Sequence, residues 1–160
     1  MSHRRKAREV ALKVLYGLDV IGRGAEEAID LFWANFDAPD DARAFSSLLV
    51  EGTWSKREHL DELISRHSEN WSLSRMARVD RNILRMAVYE LLYCDDIPPK
   101  VTLNEAIDLG KIYGSENSGS FINGILDALY ADMRGTEPID ATEKSGDAEL
   151  KGTSTPKLVL

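Results

Sequence analysis

The stretch VDRNILRMAVYELL, residues 79–92, decides the fold of this chain. Its apolar side chains occupy more than one stripe of a helix, whereas a helix on a protein surface shows a single apolar face. A helix of this kind is stable only when other elements cover it on several sides. We therefore predict that it is the central, most buried helix, with Asp80 capping its start and Pro98 beyond its end.

Amphipathic patterns on both sides of this stretch predict further helices. Apolar residues recur at helical spacing from Ala7 to Leu18, and similar faces follow along the chain. No window alternates with a period of two residues, so the sequence predicts an all-α fold of about seven helices. The first helix is predicted to end near Gly22 or Gly24, and a second helix is predicted from about Ala25 through Phe36. Pro39 is predicted at the first position of a long helix that bends near Gly52. A further helix starts with a capping box at Thr102 and Glu105, or one turn earlier at Pro99, and stops at Gly114, and the last helix begins between Ser118 and Phe121.

Two composition changes divide the chain. The segment Asn70-Trp71-Ser72 breaks the helical pattern, and Ser72 suits a new N-cap. We predict an N-terminal helical bundle over residues 1–70 and a C-terminal helical bundle over residues 71–134. Residues 135–160 are rich in Gly, Thr, Ser, Glu, Lys and Pro and lack periodicity, so they are predicted to form a disordered tail.

Charge is concentrated at the N-terminus. The chain of 160 residues has 20 Lys and Arg against 27 Asp and Glu, a net charge of −7, which excludes a uniformly basic nucleic-acid coat. Residues 1–13 hold five basic side chains against Glu9, so they carry +4 and the other 147 residues carry −11. A basic end on an acidic body indicates a focused contact with a negatively charged ligand, with a solvated helix face as the alternative.

Few residues suited to catalysis or metal binding occur at useful spacing. One cysteine, Cys94, and three histidines exclude a disulfide framework and a clustered metal site. The segment GSENSG, residues 114–119, lacks the lysine and the preceding strand of a phosphate loop, and no Gly-x-Ser-x-Gly elbow is present. Glu90, in the middle of a helix, is expected to pair with Arg81 or Arg85. The sequence therefore predicts no enzyme, no metal and no cofactor.

Nothing in the chain predicts a membrane or a secretory route. The apolar runs are only a few residues long, whereas a membrane-spanning helix needs roughly 20. Residues 1–6 carry charges without the apolar stretch that follows them in a secretory signal. We expect a cytoplasmic protein.

Binding is the remaining class of function. The polar loop at residues 115–120 leads into the last helix, whose free N–H groups suit phosphates. Tyr16 follows Lys13 by one turn and can either stack on an unpaired base or cover the edge of the core. A basic first helix and a phosphate-accepting loop together could hold a single strand of nucleic acid.

Four blocks, in this order, resemble the NusB family. They are RKAREVALKVLY at residues 5–16, VDRNILRMAVYEL at 79–91, PPKVTLNEA at 98–106, and YG at 113–114 with FINGILD at 121–127. The resemblance implies an all-helical fold of two small bundles and a role in transcription antitermination and ribosomal RNA synthesis. It also implies binding of boxA RNA together with NusE, a ribosomal protein of the small subunit, within the RNA polymerase antitermination complex.

The resemblance assigns site residues position by position. It places Asp80 on the side that meets NusE. Many relatives carry a lysine directly before the phenylalanine of the last block, and Ser120 stands there in this chain, which removes one phosphate contact. The RNA side would comprise Arg4, Arg5, Lys6, Arg8, Tyr16, Lys100, Asn117, Ser118 and Phe121.

Two other classes of protein stay open at this point. One is the NusB-like domain of a ribosomal RNA cytosine methyltransferase, although the 26 residues after Arg134 are too few for a catalytic domain. The other is a helical adaptor that binds only proteins and leaves its basic helix solvated. A homodimer formed through Trp33 and Phe36 also stays open.

Overall fold

The computed structural model describes residues 3–21, 25–35, 39–69 and 71–135. These residues form helices joined by short connections, without a strand in any of the four ranges, so the all-α prediction is confirmed. The helices are α1 (His3–Ile21), α2 (Ala25–Asn35), α3 (Asp40–Ser55), α4 (Arg57–Arg66), a 3-10 turn (Leu73–Arg75), α5 (Arg78–Tyr93), α6 (Pro99–Tyr113) and α7 (Ser118–Arg134).

Helix α5 lies at the centre of the molecule, as its apolar pattern predicts. Twelve of its sixteen residues are buried, and it packs against α1, α3, α4, α6 and α7. Both halves of the chain therefore bury apolar area on the same helix. The division into bundles at residue 70 stays a prediction.

The predicted bend near Gly52 is wrong. Helix α3 continues to Ser55, and the chain breaks at Lys56 before α4 begins. Gly52 instead faces the Tyr89 ring, which lies so close that a Cβ at position 52 would collide with it. Gly52 is therefore the point of close approach between α3 and α5.

Two predicted caps are also wrong. Helix α5 begins at Arg78, so Asp80 lies in its first turn and does not cap it. Helix α6 begins at Pro99, the earlier of the two predicted starts, so the capping box is wrong, and the Thr102 hydroxyl donates to Glu90 instead. Proline at a first helical position loses no hydrogen bond, and this explains the earlier start.

The other helix boundaries agree with the prediction or differ from it by one residue. Pro39 is the N-cap of α3 and not its first helical residue. Ser72 precedes the 3-10 turn, and its side chain makes no cap hydrogen bond. Gly114 ends α6 and Ser118 begins α7, as predicted.

Some predictions concern residues outside the described ranges. Phe36 and residues 136–160, which include nearly all of the predicted tail, belong to this group. Within the described ranges, no helix is long and apolar enough to cross a membrane. The same ranges contain no group of three or more His, Cys, Asp or Glu side chains that could hold a metal ion.

Candidate nucleic-acid interface

The first arginines of α1 pair with carboxylates from the C-terminal half of the chain. Arg4 Nη2 donates to Asp96 Oδ2 at 3.2 Å. Arg5 donates through Nε to Glu105 Oε1 at 2.6 Å and through Nη2 to Asp108 Oδ2 at 2.9 Å. The hydrogen bond between Arg5 and Glu105 raises the pKa of the guanidinium and lowers the pKa of the carboxyl. These pairs hold α1 against α6 and neutralise part of the basic end.

Arg8 lies in the interior. Its Nε and Nη2 donate to the two carboxylate oxygens of Glu90 at 2.7 and 2.9 Å, and its side chain is only 3% exposed. Arg8 therefore does not present its charge to a ligand in this structure. The expectation that Glu90 pairs with Arg81 or Arg85 is wrong, because α1 supplies the partner.

The two arginines expected to pair with Glu90 bind other carboxylates. Arg81 Nε donates to Asp19 Oδ2 at 2.8 Å, and Arg85 Nε donates to Asp61 Oδ1 at 2.7 Å. Burial alone would raise the pKa of Asp19, but hydrogen bonds from Arg81 and Asn82 and the charges of Arg85 and Arg81 lower it below its ordinary value. These contacts join the end of α1 and the middle of α4 to α5.

Exposed lysines remain on α1 and α6. Lys6 and Lys13 are exposed on α1, and Lys100 is exposed in the first turn of α6. Lys13 Nζ lies 5.8 Å from the centroid of the Tyr113 ring at the end of α6. Because Arg5 meets α6 about two turns after its start and Lys13 meets its end, the two helices run in the same direction. Along α1, Lys6 and Lys13 therefore lead toward the loop after Tyr113.

Tyr16 lies on α1 beyond Lys13, and its side chain is 40% exposed. It is not a member of the buried core. The ring is accessible to a stacking base. Its exposure favours the interpretation that Tyr16 stacks on a base over the interpretation that it covers the edge of the core.

Of the two residues predicted to bind RNA where α7 begins, Asn117 is exposed and Ser118 is buried. Ser118 is 1% exposed, and its Oγ accepts a hydrogen bond from the Ser115 N–H at 2.9 Å. Asn117 is exposed at the N-cap, where its side chain makes no cap hydrogen bond. Ser118 thus shapes the loop, and Asn117 is the side chain that faces solvent.

Phe121 and Trp71 form an aromatic pair at the start of α7. Their ring centroids are 6.2 Å apart, and their planes meet at 78°. Phe121 is half-buried, whereas Trp71 is 50% exposed. From the sequence, Trp71 is predicted only to lie at a helix break, although an indole in a polar segment is also a signal for an exposed contact residue.

Asp80 is nearly buried at the first turn of α5. It is 8% exposed, and its Oδ1 has no hydrogen-bond partner within the described ranges. A carboxylate at this position is stabilised by the positive end of the helix dipole.

The predicted RNA-side residues differ in what they present to solvent. Lys6, Tyr16, Lys100 and Asn117 are exposed. Arg4 and Arg5 lie in ion pairs, whereas Arg8 and Ser118 are buried and Phe121 is half-buried. The role of these residues in binding stays a prediction.

Comparison with known proteins matches nearly the whole helical part of the chain to one family. The model of the NusB family matches residues 5–131. The chain is 67% identical over 131 residues to the transcription antitermination protein NusB of Syntrophus aciditrophicus, covering 82% of this chain and 81% of that protein. It is 51% identical over 149 residues to the protein of the same name from Desulfitobacterium hafniense, covering 92% and 97%.

Solved structures show the same arrangement of helices. NusB of T. maritima superposes with a TM-score of 0.71 at 39% identity, covering 79% of this chain and 89% of that one. A crystal structure of the antitermination factors NusB and NusE in complex with dsRNA contains a chain that superposes with a TM-score of 0.74. The two chains are 32% identical, and the match covers 82% of this chain and 98% of the chain in that complex.

Proposed function

The chain belongs to the NusB family, and from this premise we propose that it is a transcription antitermination factor that binds boxA RNA together with NusE. The observation that carries the proposal is the exposure of Lys6, Lys13, Lys100 and Asn117 in a chain that matches this family over residues 5–131. The matched relatives named antitermination protein are covered over 81–97% of their length, which supports a factor of this kind over a domain of a methyltransferase.

The exposed lysines attract the phosphates of the RNA. Lys6 and Lys13 on α1 and Lys100 on α6 are exposed, and the carboxylates of Asp96 and Glu105 are already paired with Arg4 and Arg5. Few cations on an acidic protein give modest, salt-sensitive affinity and limit binding of unrelated RNA. Selectivity must then come from contacts to bases.

Base contacts are provided by polar and aromatic groups at two places on the surface. Asn117 presents an amide beside the N-terminus of α7, and Tyr16 presents a ring beyond Lys13. Amides bond to the edges of unpaired bases, and aromatic rings stack on them. Arg8 acts on RNA only indirectly, because its bond to Glu90 fixes the position of α1.

NusE is the proposed protein partner. A related chain of 32% identity was solved as NusB together with NusE and dsRNA. We place Asp80 on the NusE side, since its Oδ1 lacks an internal partner at the start of α5. Asp80→Ala is expected to weaken NusE binding in calorimetric titration without changing RNA binding by the free protein; unchanged NusE affinity would remove Asp80 from the interface.

The proposed factor works in the cytoplasm, as part of the antitermination complex on RNA polymerase, and without catalysis or a cofactor. The names of its relatives and the surface described above support this proposal.

Fluorescence anisotropy with labelled RNA tests the function. The measurement compares boxA RNA with a scrambled RNA of the same composition, with and without NusE, at two salt concentrations. We expect preferential binding of boxA RNA that strengthens with NusE. Equal binding of both RNAs that disappears with salt and ignores NusE would contradict the proposal.

A further inference from the structure

A cleft lies between the end of α4 and the outer face of α7. Its volume is about 450 Å³, and the exposed Trp71 ring forms one wall. Phe121 and Ile125 contribute apolar lining from α7, and Gly124 lies between them. A Cβ at Gly124 would meet no atom within 4 Å, so the space above this position is open. The cleft is therefore wide enough to hold a flat ring beside Trp71 and Phe121.

The exposure of Trp71 is unusual among the tryptophans of this chain. Trp33 and Trp54 are partly buried against the core, and each is covered by an arginine guanidinium, from Arg43 and Arg57 respectively. Trp71 is 50% exposed and is held by an edge-to-face contact with Phe121. The indole is thus held by Phe121 while about half of its surface meets water, as in a stacking platform.

The charges at the rim indicate which part of a nucleic acid enters. Arg66 pairs with Glu62 at 3.1 Å, and His67 Nε2 lies 3.1 Å from Asp132 Oδ2. Glu69 adds a further carboxylate to the lining. This rim does not attract phosphates, whereas carboxylates accept hydrogen bonds from the exocyclic amino groups of bases. The occupant that fits is an unpaired base whose backbone passes outside the cleft.

The cleft adjoins the start of α7, since Ser120 and Phe121 are among its lining residues. The Phe121 N–H donates to the Asn117 carbonyl, so the aromatic pair lies one helical turn from the loop residue assigned to RNA. We propose that Trp71 stacks on one unpaired base of the bound RNA, with Phe121 supporting the indole from the side. This inference rests on the proposed function and adds to it a base-binding subsite that includes a residue outside the family-based assignment.

Substitution of Trp71 tests the stacking directly. Trp71→Ala is expected to weaken binding of boxA RNA about 5- to 100-fold, the range for loss of one stacked base, and Trp71→Phe is expected to restore part of it. Tyr93→Ala is the matched control, because Tyr93 is 42% exposed and contacts Lys56 and Tyr89 away from the cleft. The control is expected to bind like the unmodified protein.

A second variant blocks the cleft and leaves Trp71 in place. Gly124→Leu puts a side chain into the open space, and it should reduce affinity by a similar factor. Gly124→Ala adds only a methyl group to a position with free space, and it should bind normally. Circular-dichroism melting of all variants identifies any loss of affinity that comes from unfolding.

RNA that carries an abasic nucleotide at one position at a time separates stacking from a structural effect. At the stacked position, Trp71→Ala and the abasic nucleotide should not add, because either change alone removes the contact. The subsite would be overturned if the losses of RNA affinity were additive at every position, or if Trp71→Ala and Gly124→Leu both bound RNA normally. The proposed function would still stand in that case as long as the unmodified protein preferred boxA RNA. Lack of boxA preference in the unmodified protein would overturn both.

Discussion

The Arg8–Glu90 ion pair places two charges in the interior, with side chains 3% and 2% exposed. Each charge loses its hydration there, so the pair is tolerated only because the two side chains bond to each other through two hydrogen bonds. The Thr102 hydroxyl adds a third bond to the same carboxylate. Removing one member leaves the other charged and without its partner.

Arg8→Met is therefore expected to destabilise the protein by about 3–5 kcal/mol, because it leaves Glu90 unpaired in the interior. The double variant Arg8→Met, Glu90→Leu should recover much of that loss, since neither charge then remains buried. Urea unfolding followed by circular dichroism measures both effects.

Arg66→Ala is the control for the loss of an arginine. Arg66 pairs with Glu62 on the exposed face of α4, and such a pair contributes only about 0.3–0.5 kcal/mol. A similar small effect for Arg8→Met would show that Arg8 is not held in the interior.

Asp19 gives the stability a dependence on acid pH. Its pKa lies below the ordinary value of 3.8 because hydrogen bonds from Arg81 and Asn82 and the nearby guanidinium charges outweigh the effect of burial. Its contribution to stability is present above the unfolded-state pKa and is lost as the pH falls through the lower folded-state pKa. In urea unfolding, the stability gap between the unmodified protein and Asp19→Asn should narrow from pH 7 to strongly acid pH; a constant gap would contradict this assignment.

At the scale of helices, the contact between Gly52 on α3 and the Tyr89 ring on α5 fixes how closely these helices approach. Gly52→Ala forces a methyl group into the ring and should destabilise the protein by about 1–3 kcal/mol. Gly17→Ala on α1 is the matched control, because a Cβ there meets no atom within 4 Å. It should stabilise the helix by about 0.5–1 kcal/mol, and thermal unfolding that ranked the two variants alike would contradict the packing.

Sequence patterns predict the helices well where the pattern depends only on residues within one helix or next to its ends. The buried character of α5, the end of α6 at Gly114 and the start of α7 all follow from local periodicity and turn chemistry. The bend assigned to Gly52 is wrong because a glycine marks both bends and close contacts. Only the position of Tyr89, far along the chain, separates the two cases.

Site residues were harder to predict because their roles depend on distant partners. The basic pattern of α1 shows five cations but not that Arg4, Arg5 and Arg8 meet carboxylates 82 to 103 residues away. The burial of Ser118 also depends on the loop that folds over it. Lys6 and Asn117 were predictable as exposed groups, since local polarity was enough.

Across the whole molecule, the positive charge available to a ligand is smaller than the number of basic residues in α1 suggests. The chain carries −7 overall, and the arginines of α1 are partly or fully neutralised by the C-terminal half. Lys6, Lys13 and Lys100 remain exposed near α6. We propose that these lysines bind RNA phosphates while the paired arginines hold the two halves of the molecule together.

The salt dependence of RNA binding tests this claim most directly. For single-stranded RNA, each phosphate contact adds about 0.7 to the slope of log affinity against log salt concentration. Lys6→Ala and Lys13→Ala should each lower the slope by about 0.7, whereas Lys56→Ala, an exposed lysine that lies over Tyr93, should leave it unchanged. Equal slopes for all three variants would contradict the claim that RNA lies along α1.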